Sequence, residues 1–347
     1  EARHVGALHA GRCLQLAADE ALVVRAVAQH YGKETFLLAH SELKPSPEEE
    51  DAAALRALIE ALLEGCGGSG AEGNLTWLVD LGVRDTAVAA LASSLGCGVA
   101  AFDPEDIHEL EATRCINEPK RPFRIFSGWP AVGSANTTLQ ERDAGSQHAV
   151  SAAALDGLFP FKGAPDKGPQ LATVAAPSVE EVTLLRLAPR RCCGEGAALH
   201  ALEGARGLLT SRRVRCMATE MTLDSSSPAV VQLLRDLERL GYALLHVGPL
   251  AAPELVVGDD GAYVIHRTDS AQLQELDDSF RRIRKFDERT GSRVYGEGLS
   301  LSHDGEFFDY TDFVVACQEP LPRRLNVRGK AQLRFQGGHW WLEEGAE

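Results

Sequence analysis

The stretch LVDLGVRDTAVAALASSLGCGVAAFDPED, residues 78–106, decides the fold. Its first segment is an apolar run that ends in Asp80-Leu81-Gly82. An Ala-rich segment follows with no Pro and no internal Gly before Gly96, which predicts a helix over 84–95. GVAAFD then predicts a second strand over 98–103. Neither strand alternates apolar with polar residues, which suits strands covered on both faces. In a strand–turn–helix of this kind, glycine lets the backbone approach a ligand closely, and the helix start offers free N–H groups. Asp103 stands about 20 residues after Gly82, where an acid can hold two ribose hydroxyls. Asp80, Gly82 and Asp103 are therefore the candidate cofactor cradle.

The turn departs from a dinucleotide site. Only one glycine of a G-x-G-x-x-G pattern is present, and Arg84, Asp85 and Thr86 stand where a pyrophosphate would pack. The carboxylate of Asp85 would repel it. A ligand without phosphates, such as S-adenosylmethionine, is easier to accommodate.

Outward from this unit, strands and helices alternate. Strands are predicted at 76–82, 98–103, 123–127, 182–188, 214–221, 242–247 and 311–317, with helices at 84–95, 106–117, 196–209 and 228–240. Gly241 after LLRDLERL is a helix stop signal. This alternation predicts a doubly wound α/β sheet over 71–320. Residues 1–70 read as a helical extension. The run Ala21–Val27 suggests a helix, TFLLAHS (35–41) a short strand, and Leu55, Leu58, Ile59, Leu62 and Leu63 share one face of a helix opened by acidic residues 48–51. Two insertions interrupt the pattern. Residues 133–180 are rich in Ser, Ala, Gly, Pro and Asp and read mostly as loop; residues 249–310 carry a charged helix over 271–289. Residues 321–347 form a basic, aromatic tail in which KAQLRFQGGHWWLE reads as a hairpin turning at Gly337-Gly338.

Bulk properties narrow the function classes. The chain has 347 residues and a formal net charge of −15, so general binding to a nucleic-acid backbone is disfavoured. No stretch approaches the roughly 18 consecutive apolar residues of a membrane span. The first residue is Glu1, which leaves organelle or secretory targeting open. The 8 cysteines include no CxxC, and their spacing fits neither a zinc site nor a dense disulfide scaffold. Asn74-Leu75-Thr76 and Asn136-Thr137-Thr138 are glycosylation triplets that matter only in a secretory protein.

Taken together these segments resemble a class I S-adenosylmethionine methyltransferase, and more narrowly the FkbM-type methyltransferase family. VDLGVRDTAVAALASSLG resembles the family's first motif, VAAFDP its second, and FSGWPAVGSANTTL its third-strand segment. GEGAALHALEGARGLL (194–209) resembles its EGAE-x-x-VL-x-GA segment, and LLRDLERLGYALLHV its late helix–strand element. The resemblance implies a Rossmann-like sheet of seven strands whose last strand is antiparallel, here TDFVVAC, with S-adenosylmethionine as cofactor. Mismatches accompany it. Thr86 takes the place of the second glycine of the first motif. In the fourth-strand motif Glu195 and Gly196 match, Arg191 stands for the lysine, and Cys193 falls where the aspartate belongs. Placing LLRLAP on that strand leaves the aspartate missing as well.

Glu195 is a weak candidate for a catalytic base; an acid in a helix's first turn, favoured by the dipole, is the plainer account. Cys192 and Cys193 lack the rest of a nucleophilic constellation, and His108, His200 and His303 have no paired-ligand spacing. Arg323, Arg324, Trp340 and Trp341 are candidate partner-binding residues, because Arg and Trp concentrate at interface centres; a hairpin covering its own sheet edge is the alternative. The sequence reading favoured is a non-catalytic structural or assembly subunit on a methyltransferase fold, contacting a protein partner through the tail or the 249–310 insertion. The alternatives are an active O-methyltransferase on a small molecule or glycan, and a binding module that keeps the cofactor as a structural ligand.

Overall fold

A computed structural model describes residues 24–31, 34–41, 58–67, 76–82, 86–103, 107–117, 121–127, 138–143, 146–151, 155–158, 181–187, 200–221, 228–248, 264–272, 312–325, 327–328, 331–336 and 339–344. These fall into two compact units, Glu1–Ala52 with Leu63–Arg215, and Ala53–Leu62 with Cys216–Glu347.

In the first unit, β1 (Val24–Tyr31) and β2 (Glu34–Ser41) form an antiparallel hairpin in which Tyr31 faces Glu34. After β3 (Glu64–Gly67) come β4 (Thr76–Leu81), α1 (Thr86–Ser94), β5 (Gly98–Asp103), α2 (Ile107–Asn117) and β6 (Phe123–Ser127). Next are β7 (Thr138–Asp143), β8 (Ser146–Ser151), the single turn α3 (Leu155–Leu158), β9 (Glu181–Leu187) and α4 (Arg206–Thr210). The strand order is β9-β4-β5-β6-β7-β8. The pairs from β9 through β6 are parallel, and β7 and β8 add on antiparallel.

Burial explains the apolar runs. Trp77, Leu78, Val79 and Leu81 of β4, Val99 to Phe102 of β5, and Val182, Leu184, Leu185 and Leu187 of β9 are all buried. Helix α1 is buried over all of Thr86–Ala92 rather than along one stripe. Small Ala side chains let it lie close to the sheet, and β2 packs against both α1 and α2. Between β5 and β6 the rings of Phe102 and Phe126 stack with centroids 4.5 Å apart, a geometry worth about 1 kcal/mol beyond the area buried.

In the second unit, β10 (Val214–Met221) is followed by α5 (Pro228–Arg239), β11 (Tyr242–Gly248), β12 (Val264–Thr268) and β13 (Asp312–Gln318). Short β14 (Val327–Arg328) precedes the hairpin of β15 (Ala331–Gln336) and β16 (His339–Glu344). The order is β14-β12-β11-β13-β10. Strand β13 runs antiparallel to both its neighbours, β10 and β11. Helix α5 begins at Pro228, whose fixed φ suits a first helical turn. It gives out where the N–H of Gly241 donates to the Glu238 carbonyl at 2.9 Å. Beyond β12 the Asp269 carboxylate accepts from the Gln272 N–H at 2.8 Å, opening a helical stretch at 270–272. That places the start of the expected 271–289 helix; the rest lies outside the described residues.

The described elements are α/β, with a mixed and partly parallel sheet, as expected. The seven strands read from the sequence are present to within a residue at each end. Three readings are corrected. Of the run 21–27, in which a helix was expected, the described part, 24–27, is not helical. From Val24 the chain is strand β1, because β-branched Val24 and Val27 sit in a run that pairs antiparallel with β2. Residues 133–180 are not mostly loop within their described part, which holds β7, β8 and α3. Their polar sequence lacks an apolar period, and backbone pairing at the end of the sheet defines them instead. The helix expected at 196–209 is broken at Ala205 between a 200–204 segment and α4.

Candidate functional site

The C-terminal ends of parallel strands are where α/β folds place ligands. Strand β4 ends at Leu81, directly beside Phe102 of β5. This brings Asp80, Gly82 and Asp103 to neighbouring strand ends. Gly82 is buried with φ +78°, a left-handed conformation that a side chain disfavours, and its N–H donates to the Phe102 carbonyl at 2.9 Å. The turn after β4 is thereby tied to β5. Asp103 closes β5, its backbone opposite Ser127 of β6. Residues 83–85 and the Asp103 side chain lie outside the described set.

Asp80 is held from below the turn. It is fully buried, and it faces Arg186 in the register of β4 with β9. Arg186, whose side chain is 2% exposed, donates through Nη1 to Asp80 Oδ2 at 3.1 Å and lies 3.5 Å from Oδ1. An Arg reaching both oxygens of a carboxylate is a directed contact as well as a Coulombic one. Stripping such a pair of one partner leaves an uncompensated buried charge, at a cost of about 3–5 kcal/mol. The sequence contained the two charges but not their meeting. A lone Arg in the otherwise apolar VTLLRL run was the available signal, since a buried charge demands a partner.

At the start of α1, Thr86 is 4% exposed and its hydroxyl makes no hydrogen bond. The Thr that stands in place of a glycine is thus turned into the protein. Strand β9 also settles which segment forms the fourth parallel strand: it is EVTLLRL, and RCCGEG, with Cys192, Cys193 and the candidate base Glu195, lies outside the described residues. His303 and the His108 side chain lie outside them too. His200 is exposed, with Nδ1 3.5 Å from Glu203 Oε2 across one helical turn.

A second carboxylate site escaped the sequence reading. Asp156 of α3 accepts the N–H groups of Gly207 and Leu208 at 2.6 and 2.8 Å, satisfying two free donors at the start of α4. Burial pushes the Asp156 carboxyl above its ordinary range, against the pull of these two N–H donors. A Cβ on Gly207 would come within 2.6 Å of Asp156 Oδ2, so any larger residue there requires the Asp156 carboxylate to shift. Gly207 inside a helical pattern was the one cue to this close approach.

In the second unit, Arg323 is exposed, and Arg324 Nη1 donates to Glu60 Oε1 at 2.8 Å. Trp340 and Trp341 lie on β16, paired with Phe335 and Arg334 of β15. The hairpin strands expected in the tail are present, β15 pairing antiparallel with β16; Gly337 and Gly338 lie outside the described residues. Among the described residues no group of three or more His, Cys, Asp or Glu is arranged to hold a metal ion, and no helix is long and apolar enough to cross a membrane.

No family model matches this sequence, and a search of curated proteins finds no match.

Proposed function

We propose that this chain is a methyltransferase-fold protein of FkbM type that does not catalyse and instead serves as a structural or assembly subunit. The observation that carries this reading is the buried Asp80–Arg186 pair. The acid that closes the first strand of the cradle is neutralised by a side chain of the same sheet. It is 0% exposed and its charge is spent inside the fold. Thr86 adds a side chain where the motif calls for none. The residues present therefore do not fit S-adenosylmethionine in the manner the family motif implies.

Support for the fold comes from each unit separately. In the first unit β6, β5, β4 and β9 are parallel neighbours, and in the second β13 runs antiparallel to β10 and β11, as suits the Rossmann-like sheet with an antiparallel last strand that the resemblance implies. The assembly role rests on the tail. Its basic residues, with the Trp340-Trp341 step on a separate two-stranded hairpin, suit a protein partner.

One observation favours the second reading, an active O-methyltransferase on a small molecule or glycan: the Gly82 turn keeps its left-handed backbone, beside Asp103 at the end of β5. Calorimetric titration of S-adenosylmethionine into the purified chain, with Asp103→Ala as control, separates the two. The non-catalytic reading expects no binding at millimolar cofactor. Micromolar binding that disappears in the variant would overturn it. The partner role is tested by deleting residues 331–347, which spares Arg324 and β14. The shortened chain should fold and no longer enter its assembly; an unchanged assembly contradicts that role.

A further inference from the structure

We infer that this protein matures in an oxidising compartment, where a cross-strand disulfide between Cys216 and Cys317 locks the reversed strand β13 onto β10. The bulk cysteine content did not point this way, yet all five cysteines among the described residues are disulfide-bonded. Cys66 pairs with Cys97, Cys216 pairs with Cys317, and Cys115 is bonded as well. Bonding geometry is demanding: two cysteines need Cα atoms within about 7 Å and side chains that face each other. Cysteines retained as small apolar side chains in a reducing cytosol have no reason to meet in this way, and thiols there stay reduced.

The two described bridges fasten different things. Cys66 of β3 reaches Cys97, just ahead of β5, across a sequence separation of 31. The Thr76 hydroxyl lies 3.4 Å from the Cys97 sulfur, and with that sulfur bonded only the hydroxyl can donate. Cys216 and Cys317 are direct partners in the β10–β13 ladder and are 101 residues apart in sequence. Both are fully buried. The intervening chain holds α5, β11 and β12, so this bridge closes a long loop and returns β13 to its place between β10 and β11. Long loops are where a cross-link removes most freedom from the unfolded chain.

Each bridge forms by thiol–disulfide exchange. A cysteine thiolate attacks the disulfide of a protein oxidant, giving a mixed disulfide. The second cysteine thiolate then displaces the oxidant as its dithiol, so two electrons and two protons leave the chain. Burial of Cys97, Cys216 and Cys317 afterwards keeps small thiols away from the finished bonds.

The test uses the full chain made by two routes, an oxidising secretory host and a reducing cytosol. Unreduced protein from the secretory host is alkylated under denaturing conditions, digested and weighed. The expected result is linked Cys66–Cys97 and Cys216–Cys317 peptides and no alkylated Cys115. The chain kept reduced from the cytosolic host should melt without a cooperative transition, or about 10 °C or more lower. Cys216→Ala with Cys317→Ala, made in the secretory host, should reproduce most of that loss while leaving the Cys66–Cys97 peptide linked. Free thiols at these five positions in folded secretory protein would overturn the inference. Equal melting of the reduced and oxidised chains would do so too.

Discussion

Two strand pairs, one in each unit, are fastened at directly opposed residues by different means. In the first unit parallel β4 and β9 are joined through Asp80 and Arg186. In the second, antiparallel β10 and β13 are joined through Cys216 and Cys317. The ion pair works within the folded state. Each charge is tolerated only because the other is there, and a well-packed apolar pair could replace both. The disulfide works mainly on the unfolded state, by shortening the loops available to it, and is indifferent to dielectric. The charge pair fixes Asp80 to β9 inside the first unit. The disulfide marks the environment in which the whole chain is made.

A large effect is expected at the second pair. Replacing Cys216 and Cys317 together by Ala should cost about 4–5 kcal/mol for a loop of this length, read as a lower denaturation midpoint in urea. Loss of less than about 1 kcal/mol would mean that β13 is held by its ladder alone.

The next effects compare two helix ends held by carboxylates. Gly207→Ala would drive a methyl group into Asp156 Oδ2, and about 2–3 kcal/mol should be lost as α4 gives up its two N–H bonds. The corresponding device in the second unit is Glu238, which accepts from the Ser270 N–H at 3.0 Å and from its hydroxyl at 2.6 Å. Ser270→Ala removes one of these two bonds, so about 1 kcal/mol is expected by the same urea assay. If the two substitutions cost the same, the close approach at Gly207 is not the reason for its glycine.

The smallest effect is a pH slope. Burial places the folded-state pKa of Asp156 above the unfolded one, so the folded chain binds this proton more tightly. The stability it contributes is full below the unfolded value, about 4, and is lost as pH rises through the folded value. Asp156→Asn should flatten that part of the stability profile, measured by urea midpoints at steps of pH across the acid range. An unchanged slope would assign it to other groups.

The sequence disclosed most of the architecture because the parallel strands announce themselves. WLVDL, VAAFD and VTLLRL are mostly apolar runs without apolar–polar alternation, as suits strands buried on both faces. Helix α5 could be bounded at its end by Gly241. Strands β7 and β8 were hidden for the opposite reason: TLQERD and SQHAVS carry no apolar period, and an antiparallel ladder at the end of a sheet needs none. For the site, the local part was legible. Asp80, Gly82 and Asp103 lie at or next to the ends of adjacent strands β4 and β5. What stayed out of reach was every long-range partner: Arg186 for Asp80, 106 residues away, Gly207 for Asp156, and the cysteine pairings. Spacing along a chain says where a charge stands and not what it will face.

The central claim is that Asp80 is a structural charge committed to Arg186, and a double-mutant cycle on the two residues tests it most directly. Asp80→Asn and Arg186→Met should each cost about 3–5 kcal/mol or abolish folding, because each leaves its partner buried and uncompensated. The doubly substituted chain should then be no less stable than either single variant, and should fold where they do not. If the two losses simply add, or if Asp80→Asn leaves stability intact while removing affinity for S-adenosylmethionine, Asp80 serves a ligand and the account is wrong.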